Sequence, residues 1–268
     1  MAEITQISAQ KRKGRYNIFL DGKYAFPVSE TTLIKFRLAK GLVVDAALES
    51  EIKAGEVEAM ANTMALDYLN RQARTVKELR SHLRDQQMPE DVINHVVVRL
   101  TDLNYLNDAQ YAQAFLHDAL LVGDKGSQSV SRALREKGVA PDVIEDALAD
   151  VAPADWNDAL MRAATKAARQ NQRRAFREQT GRIKLALTQK GFTQEQATAA
   201  LAALDLAKDD DHEADLLARE ATKQWRLKQR YTGRDRTERV KQALFRKGFT
   251  GDAINEALAK LENGEELD

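Results

Sequence analysis

One stretch of this sequence occurs four times, and that repetition limits what the chain can become. Segments 76–88, 127–139, 180–192 and 237–249 align without a gap. Each centres on a leucine, Leu83, Leu134, Leu187 or Leu244, with Leu79, Val130, Ile183 or Val240 four residues earlier. That spacing puts two apolar side chains on one helical face. Four residues after the leucine stand Gln87, Gly138, Gly191 and Gly248. Glycine there fits a left-handed helix stop, where a missing Cβ removes the steric cost, so Gln87 predicts a different or strained stop.

The next residue is apolar in every copy (Met88, Val139, Phe192, Phe249), and five residues further on stand Ile93, Ile144, Ala197 and Ile254. This is the spacing of a hydrophobic staple. Thr193 with Gln196 predicts a capping box, Thr250 an N-cap, and Pro141 a first helical position. Val97, Leu148, Leu201 and Leu258 extend the stripe, so each copy predicts two helices in a tight hairpin. The anchor leucines lie 51, 53 and 57 residues apart, which leaves room upstream for a third helix. Ala61-Met64-Ala65-Tyr68-Leu69, Tyr111-Ala112-Phe115-Leu116, Leu160-Ala164-Ala168 and Leu216-Leu217-Ala221-Trp225 supply it. The two later spacings are expected to lengthen in the first-helix segment, near Arg169 to Glu178 and near Arg226 to Arg234. The predicted fold is mainly α: triplets over 56–104, 105–153, 154–207 and 208–268, each bearing on its neighbours in an elongated, curved array.

Residues 1–55 read differently, as a β-hairpin plus a helix. Ile4 to Ile7 predicts a strand, Tyr16, Ile18 and Leu20 alternate up to Asp21-Gly22, and Tyr24, Phe26 and Val28 alternate away. A two-residue loop would place the two apolar sets on opposite faces, so a three-residue loop pairing Leu20 with Tyr24 is expected. So small a sheet must rest on the helix that begins near Ser29-Glu30. Lys11, Arg12, Lys13 and Arg15 read as a solvated turn in preference to a phosphate contact.

The ordered set of motifs resembles the RecX family of bacterial regulators of the RecA recombinase. Arg74-Thr75-Val76-Lys77-Glu78-Leu79 through Leu83 carries part of the match, as does Leu106-Asn107-Asp108-Ala109-Gln110-Tyr111-Ala112. Lys125-Gly126 through Leu134-Arg135-Glu136-Lys137-Gly138-Val139 completes it. The resemblance covers roughly residues 60 to 260. It implies a binding regulator without catalysis that lodges in the groove of a RecA filament on single-stranded DNA. Such a protein would limit the filament's growth and its ATPase, strand-exchange and coprotease activities, in DNA repair and the SOS response. Short members have three triplets; this chain carries four.

Forty-one basic residues balance 41 acidic ones, but they are segregated. Nine cations lie between Arg162 and Lys190 (Arg162, Lys166, Arg169, Arg173, Arg174, Arg177, Arg182, Lys184, Lys190) against the single acid Glu178. Ten lie between Lys223 and Lys247 (Lys223, Arg226, Lys228, Arg230, Arg234, Arg236, Arg239, Lys241, Arg246, Lys247) against Asp235 and Glu238. Trp225 and Tyr231 stand in the second stretch, and aromatics beside arginine stack on unpaired bases while guanidinium groups hold phosphates. These C-terminal cations, with Trp225, form the expected filament or DNA surface. The competing class is a module that binds single-stranded nucleic acid without RecA; weak binding to single- or double-stranded DNA is compatible with either.

No catalytic, cofactor or metal site is expected. Asp209-Asp210-Asp211-His212-Glu213 reads as helix-start chemistry and lacks the spacing of a calcium loop. His82, His95, His117 and His212 match no metal motif, and phosphate-loop, dinucleotide and hydrolase signatures are missing. Gly123-Asp124-Lys125-Gly126-Ser127 follows a helix and reads as a helix break. The sequence has no cysteine and no long apolar run, so a monomeric cytoplasmic protein without a membrane span is expected.

Overall fold

The computed structural model describes residues 1–263, so the last five residues of the fourth expected triplet lie outside the described residues. Two compact units emerge, residues 1–113 with 134–144, and residues 114–133 with 145 onward. The division runs through the second triplet.

Strands β1 (Ala2–Ala9), β2 (Arg15–Leu20), β3 (Lys23–Ser29) and β4 (Val43–Val44) form an antiparallel sheet in the order β3-β2-β1-β4. The hairpin loop is two residues, not three: Leu20 pairs with Lys23, and Asp21 and Gly22 both take positive φ (49° and 79°). The face conflict disappears at a bulge, because Phe19 pairs with Tyr24 while Ile18 pairs with Phe26. One extra residue on β3 returns Ile18, Phe26 and Val28 to the same buried side. The helix after Ser29 covers part of this sheet, with Leu33 packed against its core. α1 (Glu30–Lys35) has only six residues, and α2 (Ala46–Leu69) supplies Ile52 to the core.

Gly55 of α2 lies under Phe36, where an added Cβ would come within 2.5 Å of the ring. The next residue, buried Glu56, accepts hydrogen bonds from the Arg15 guanidinium, the Ser29 N–H (2.7 Å) and the Ser29 hydroxyl (2.9 Å). A buried carboxylate so fully paired ties sheet to helix at small net cost. Because α2 continues to Leu69, the helix that covers the sheet is also the first helix of the first triplet.

That triplet is completed by α3 (Val76–Asp85) and α4 (Glu90–Asp102). There follow α5 (Asp108–Leu121), α6 (Ser127–Glu136) and α7 (Pro141–Ala149), then α8 (Pro153–Asn171), α9 (Phe176–Gln189) and α10 (Gln194–Ala203). The last three are α11 (Asp210–Leu227), α12 (Gly233–Arg246) and α13 (Gly251–Glu262). All four anchor leucines, and the four apolar residues preceding them by one turn, are fully buried. Thr193 and Gln196 form the capping box, and Pro141 opens α7. Thr250 occupies the N-cap of α13 but makes no side-chain cap bond. The added residues of the later triplets are not confined to the first helices: α9 and α12 have 14 residues where α3 and α6 have 10.

The four helix stops share one backbone conformation. Gly138, Gly191 and Gly248 have φ of 86°, 87° and 94°, and Gln87 has 60°. In each, the following N–H returns to the anchor carbonyl, as from Met88 to Leu83 and from Phe192 to Leu187 (both 3.1 Å). Gln87 therefore adopts the same stop under strain. The three glycines meet a second demand that exposed Gln87 does not. A Cβ on Gly138 would come within 2.4 Å of Lys77, one on Gly191 within 2.4 Å of the Ser129 nitrogen, and one on Gly248 within 2.7 Å of the Glu178 nitrogen. In every case the middle helix of one triplet ends against the start of the middle helix of the preceding triplet.

Polar groups close these joints. Thr75, the buried N-cap of α3, donates its hydroxyl to Lys137 O (2.6 Å), and Lys77 Nζ donates to Glu136 O (2.8 Å). At the next joint Gly126 N–H donates to Lys190 O (2.8 Å) and Gln128 N–H to Gly191 O (3.3 Å). Carboxylates from a following first helix cap two of the starts: Val76 N–H donates to Asp108 and Phe176 N–H to Glu213, each at 2.9 Å. Orphan amides and carbonyls of helix ends thus satisfy one another, with opposite dipole ends adjacent.

Burial pushes the Glu78 carboxyl up, but Lys137 at 2.7 Å, the Thr75 N–H and the Arg74 charge together hold it below its ordinary 4.5. A folded-state value below the unfolded one adds stability above the unfolded value and loses it as pH falls. Glu78→Gln should therefore narrow the difference in melting temperature between about pH 7 and about pH 3; an acid dependence matching wild type would contradict the assignment. At the glycines, Gly191→Ala should cost roughly 2–4 kcal/mol in chemical denaturation, because left-handed strain adds to a backbone clash. Gly138→Ala would set its Cβ 2.5 Å from the Lys77 Cβ and should cost a similar amount, whereas Gln87→Gly should gain up to about 1 kcal/mol. Losses at Gly138 and Gly191 no larger than about 1–2 kcal/mol, the left-handed strain alone, would remove the close-approach explanation.

Candidate functional site

The first cationic stretch begins on α8. Its buried side is alanine-rich (Ala159, Ala163, Ala164, Ala167), while Arg162, Lys166 and Arg169 recur every three or four residues on the opposite face. Arg162 donates to the carbonyls of Leu120 and Gly123, covering the end of α5. Lys166 and Lys190 both reach Asp124, at 3.0 and 2.6 Å. The Lys190 ammonium, aided by Lys166 and opposed by burial, holds the Asp124 carboxyl below its usual value. The loop 123–127 is thus the helix break that was expected, and also a joint: its carboxylate gathers two lysines and its Gly126 N–H is spent on Lys190 O.

Further along, Arg174 and Arg182 share Glu178 (2.6 and 2.7 Å), and the Arg177 guanidinium lies 5.6 Å from the Phe245 ring centre. Arg169, Arg173 and Lys184 have no carboxylate partner among the described residues. Arg173 and Arg174 line a hollow of about 260 Å³ with Lys247, whose ammonium pairs with Glu220 at 2.8 Å. Lys166, Lys190, Arg174 and Arg182 thus share two carboxylates, and the first stretch keeps most of its positive charge.

In the second stretch, Trp225 packs against the core of the fourth triplet, with Arg236 3.9 Å from its ring centre and donating to its carbonyl. Arg236 and the core thereby take up much of the ring surface that a stacked base would use. Arg230 and Arg239 lie 4.8 and 4.2 Å from the Tyr231 ring centre, and Arg239 also pairs with Asp235 (2.9 Å). Arg246 donates to Gln242 O. Arg226, Lys228, Arg234 and Lys241 have neither an acidic nor an aromatic partner among the described residues. The structure thus separates cations already spent on the fold from cations without such a partner among the described residues.

Sequence reasoning passed over Asp124, Thr75, Glu78 and Asp108 as the residues that lock the joints. Only the Thr75-x-x-Glu78 capping-box spacing signalled any of them. The acidic run at 209–213 is helix-start chemistry: Asp209 Oδ1 accepts the His212 N–H at 3.0 Å, and Glu213 caps α9. No helix among the described residues is long and apolar enough to cross a membrane.

Comparison with known proteins places these features in a family. The chain matches the family model of the regulatory protein RecX N-terminal domain over residues 2–45. It matches those of the first, second and third RecX three-helix domains over 61–100, 107–148 and 211–258. The third of these falls on α11 to α13, so α8 to α10 lie between matched segments. The Regulatory protein RecX of Lacticaseibacillus casei is 47% identical, over 97% of this chain and 99% of its own length. That of Levilactobacillus brevis is 42% identical, over 97% and 98%. Among solved structures, a crystal structure of regulatory protein RecX is 34% identical with a TM-score of 0.67, covering 75% of this chain and all of its own. RecX from Lactobacillus salivarius is 29% identical with a TM-score of 0.53, covering 57% of this chain and 99% of its own. The four-triplet chain, with its N-terminal sheet, belongs to the RecX family of regulatory proteins.

Proposed function

We propose that this protein is a non-catalytic regulator of the RecA recombinase, which binds RecA and its filaments on single-stranded DNA. It would act mainly as an inhibitor of ATPase, recombinase and coprotease activities in DNA repair and the SOS response. The observation that carries this reading is similarity over nearly the full chain to proteins named Regulatory protein RecX, with the repeated triplets intact. Tandem triplets suit a polymeric target, since several weak contacts to successive protomers multiply into strong avidity without any single tight site.

A second reading, nucleic-acid binding without RecA, draws support from Arg226, Lys228, Arg234 and Lys241, which have no acidic partner among the described residues. Cations held in no internal pair are free to replace the counterions of a phosphate backbone. The two readings differ in what they require. Under the first, adding the protein in less than stoichiometric amount to RecA on single-stranded DNA depresses ATP turnover, and affinity for DNA alone is weak. ATP turnover unchanged at equimolar protein would overturn it, and tight DNA binding in the absence of RecA would favour the second.

A further inference from the structure

We propose that the exposed face of α8, with the Leu121-Val122 step beside it, is a protein-docking surface for an acidic, amphipathic segment of the partner. Phosphate contact is then left to the unpaired cations of the last triplet. This rests on the reading of the chain as a filament-binding regulator and assigns its two kinds of contact to two places.

Leu121 and Val122, at the end of α5, are 65% and 83% exposed. Adjacent aliphatic side chains in water contribute nothing to the free fold, and apolar surface rimmed by polar groups is characteristic of protein contacts. The step is held in position: Arg162 donates to Leu120 O on one side of it and to Gly123 O on the other. Beside it, Met161, Arg162, Thr165, Lys166 and Arg169, with Asp158 and Gln170 at its margin, line an open concavity of about 700 Å³ along α8.

The charge state of this face separates a protein partner from a nucleic acid. Arg162 is occupied by two carbonyls and Lys166 by Asp124, which Lys190 also holds. Arg169 is the cation of this face with no such partner among the described residues. Arg162 and Lys166 keep their charge but have their donors committed internally, Asp158 sets a negative charge in the same hollow, and aliphatic side chains gain nothing from a phosphate backbone. A partner segment that buries its own aliphatic residues on Leu121, Val122 and Met161, and sets a carboxylate on Arg169, meets both the exposed aliphatic step and the cation without an internal partner. Arg162 and Lys166 are already immobilised by their internal bonds, so docking pays little side-chain entropy for them.

The test uses the full chain and two surface variants, Leu121→Ser with Val122→Ser, and Arg169→Glu, neither of which removes a buried group. Each is measured against the RecA filament on single-stranded DNA and against a labelled oligonucleotide alone, across a salt series. The serine pair should lose filament affinity tenfold or more with no change in salt dependence, and oligonucleotide affinity should stay within twofold of wild type. Arg169→Glu should weaken filament binding and flatten its salt dependence. As the opposite case, Arg234→Glu with Lys241→Glu should lose oligonucleotide affinity. Wild-type filament binding by the serine pair, or a parallel loss on oligonucleotide and filament, overturns the docking surface and leaves the regulator reading standing. A wild type that does not bind the filament removes that reading, and the docking surface falls with it.

Discussion

Every helix leaves four amides and four carbonyls without partners at its ends, and a chain with thirteen described helices must satisfy them repeatedly. Here the ends serve one another. The middle helix of one triplet finishes where the middle helix of the preceding triplet begins, and Lys190 O accepting from Gly126 N–H is the plainest instance. Contact at that distance has no room for a Cβ on the stopping residue. The glycine demanded by left-handed backbone is therefore also the glycine demanded by the neighbour, and one residue type meets both constraints at Gly138, Gly191 and Gly248. The stop with no such close approach tolerates Gln87.

The same joints govern the electrostatics. A chain with equal numbers of acids and bases could scatter them, but this one spends particular pairs at particular seams: Glu78 with Lys137, and Asp124 with Lys166 and Lys190. These are half-exposed pairs, individually worth little in stability, whose effect is to fix geometry where triplets meet. What remains is a smaller set of uncommitted cations on α8 and in the last triplet. After that pairing Lys190 and Arg182 are committed within the fold, whereas Arg234 and Lys241 have no acidic partner among the described residues.

Much of the fold was legible because helix periodicity and stop chemistry are local. The anchors one turn apart, the staple and the Thr193 capping box all lie within a dozen residues of one another, and the structure reproduces them. The hairpin loop was misread for an equally physical reason. Alternation alone shows which face each residue wants, but the bulge opposite Ile18 and Phe19 lets a tight turn satisfy the same faces. Continuity of α2 was hidden as well, because a helix serving two cores shows no break where it passes from one to the other. The candidate site was legible as residue types and not as pairs. Asp124 meets a lysine 42 positions away, and no local pattern announces that separation. Trp225 beside arginines reads equally well as a base-stacking platform and as a core-edge ring; only the fold places Arg236 upon it.

The joint itself can be observed directly through the Gly126 amide, whose hydrogen-bond acceptor, Lys190 O, lies far along the sequence. Native-state hydrogen exchange at that amide separates a formed joint from a free loop. The structure predicts protection comparable to the amides of α6, lost together with them on denaturation and reduced selectively by Gly191→Ala. Exchange at the rate of an unstructured loop would contradict the triplet joint on which the architecture rests.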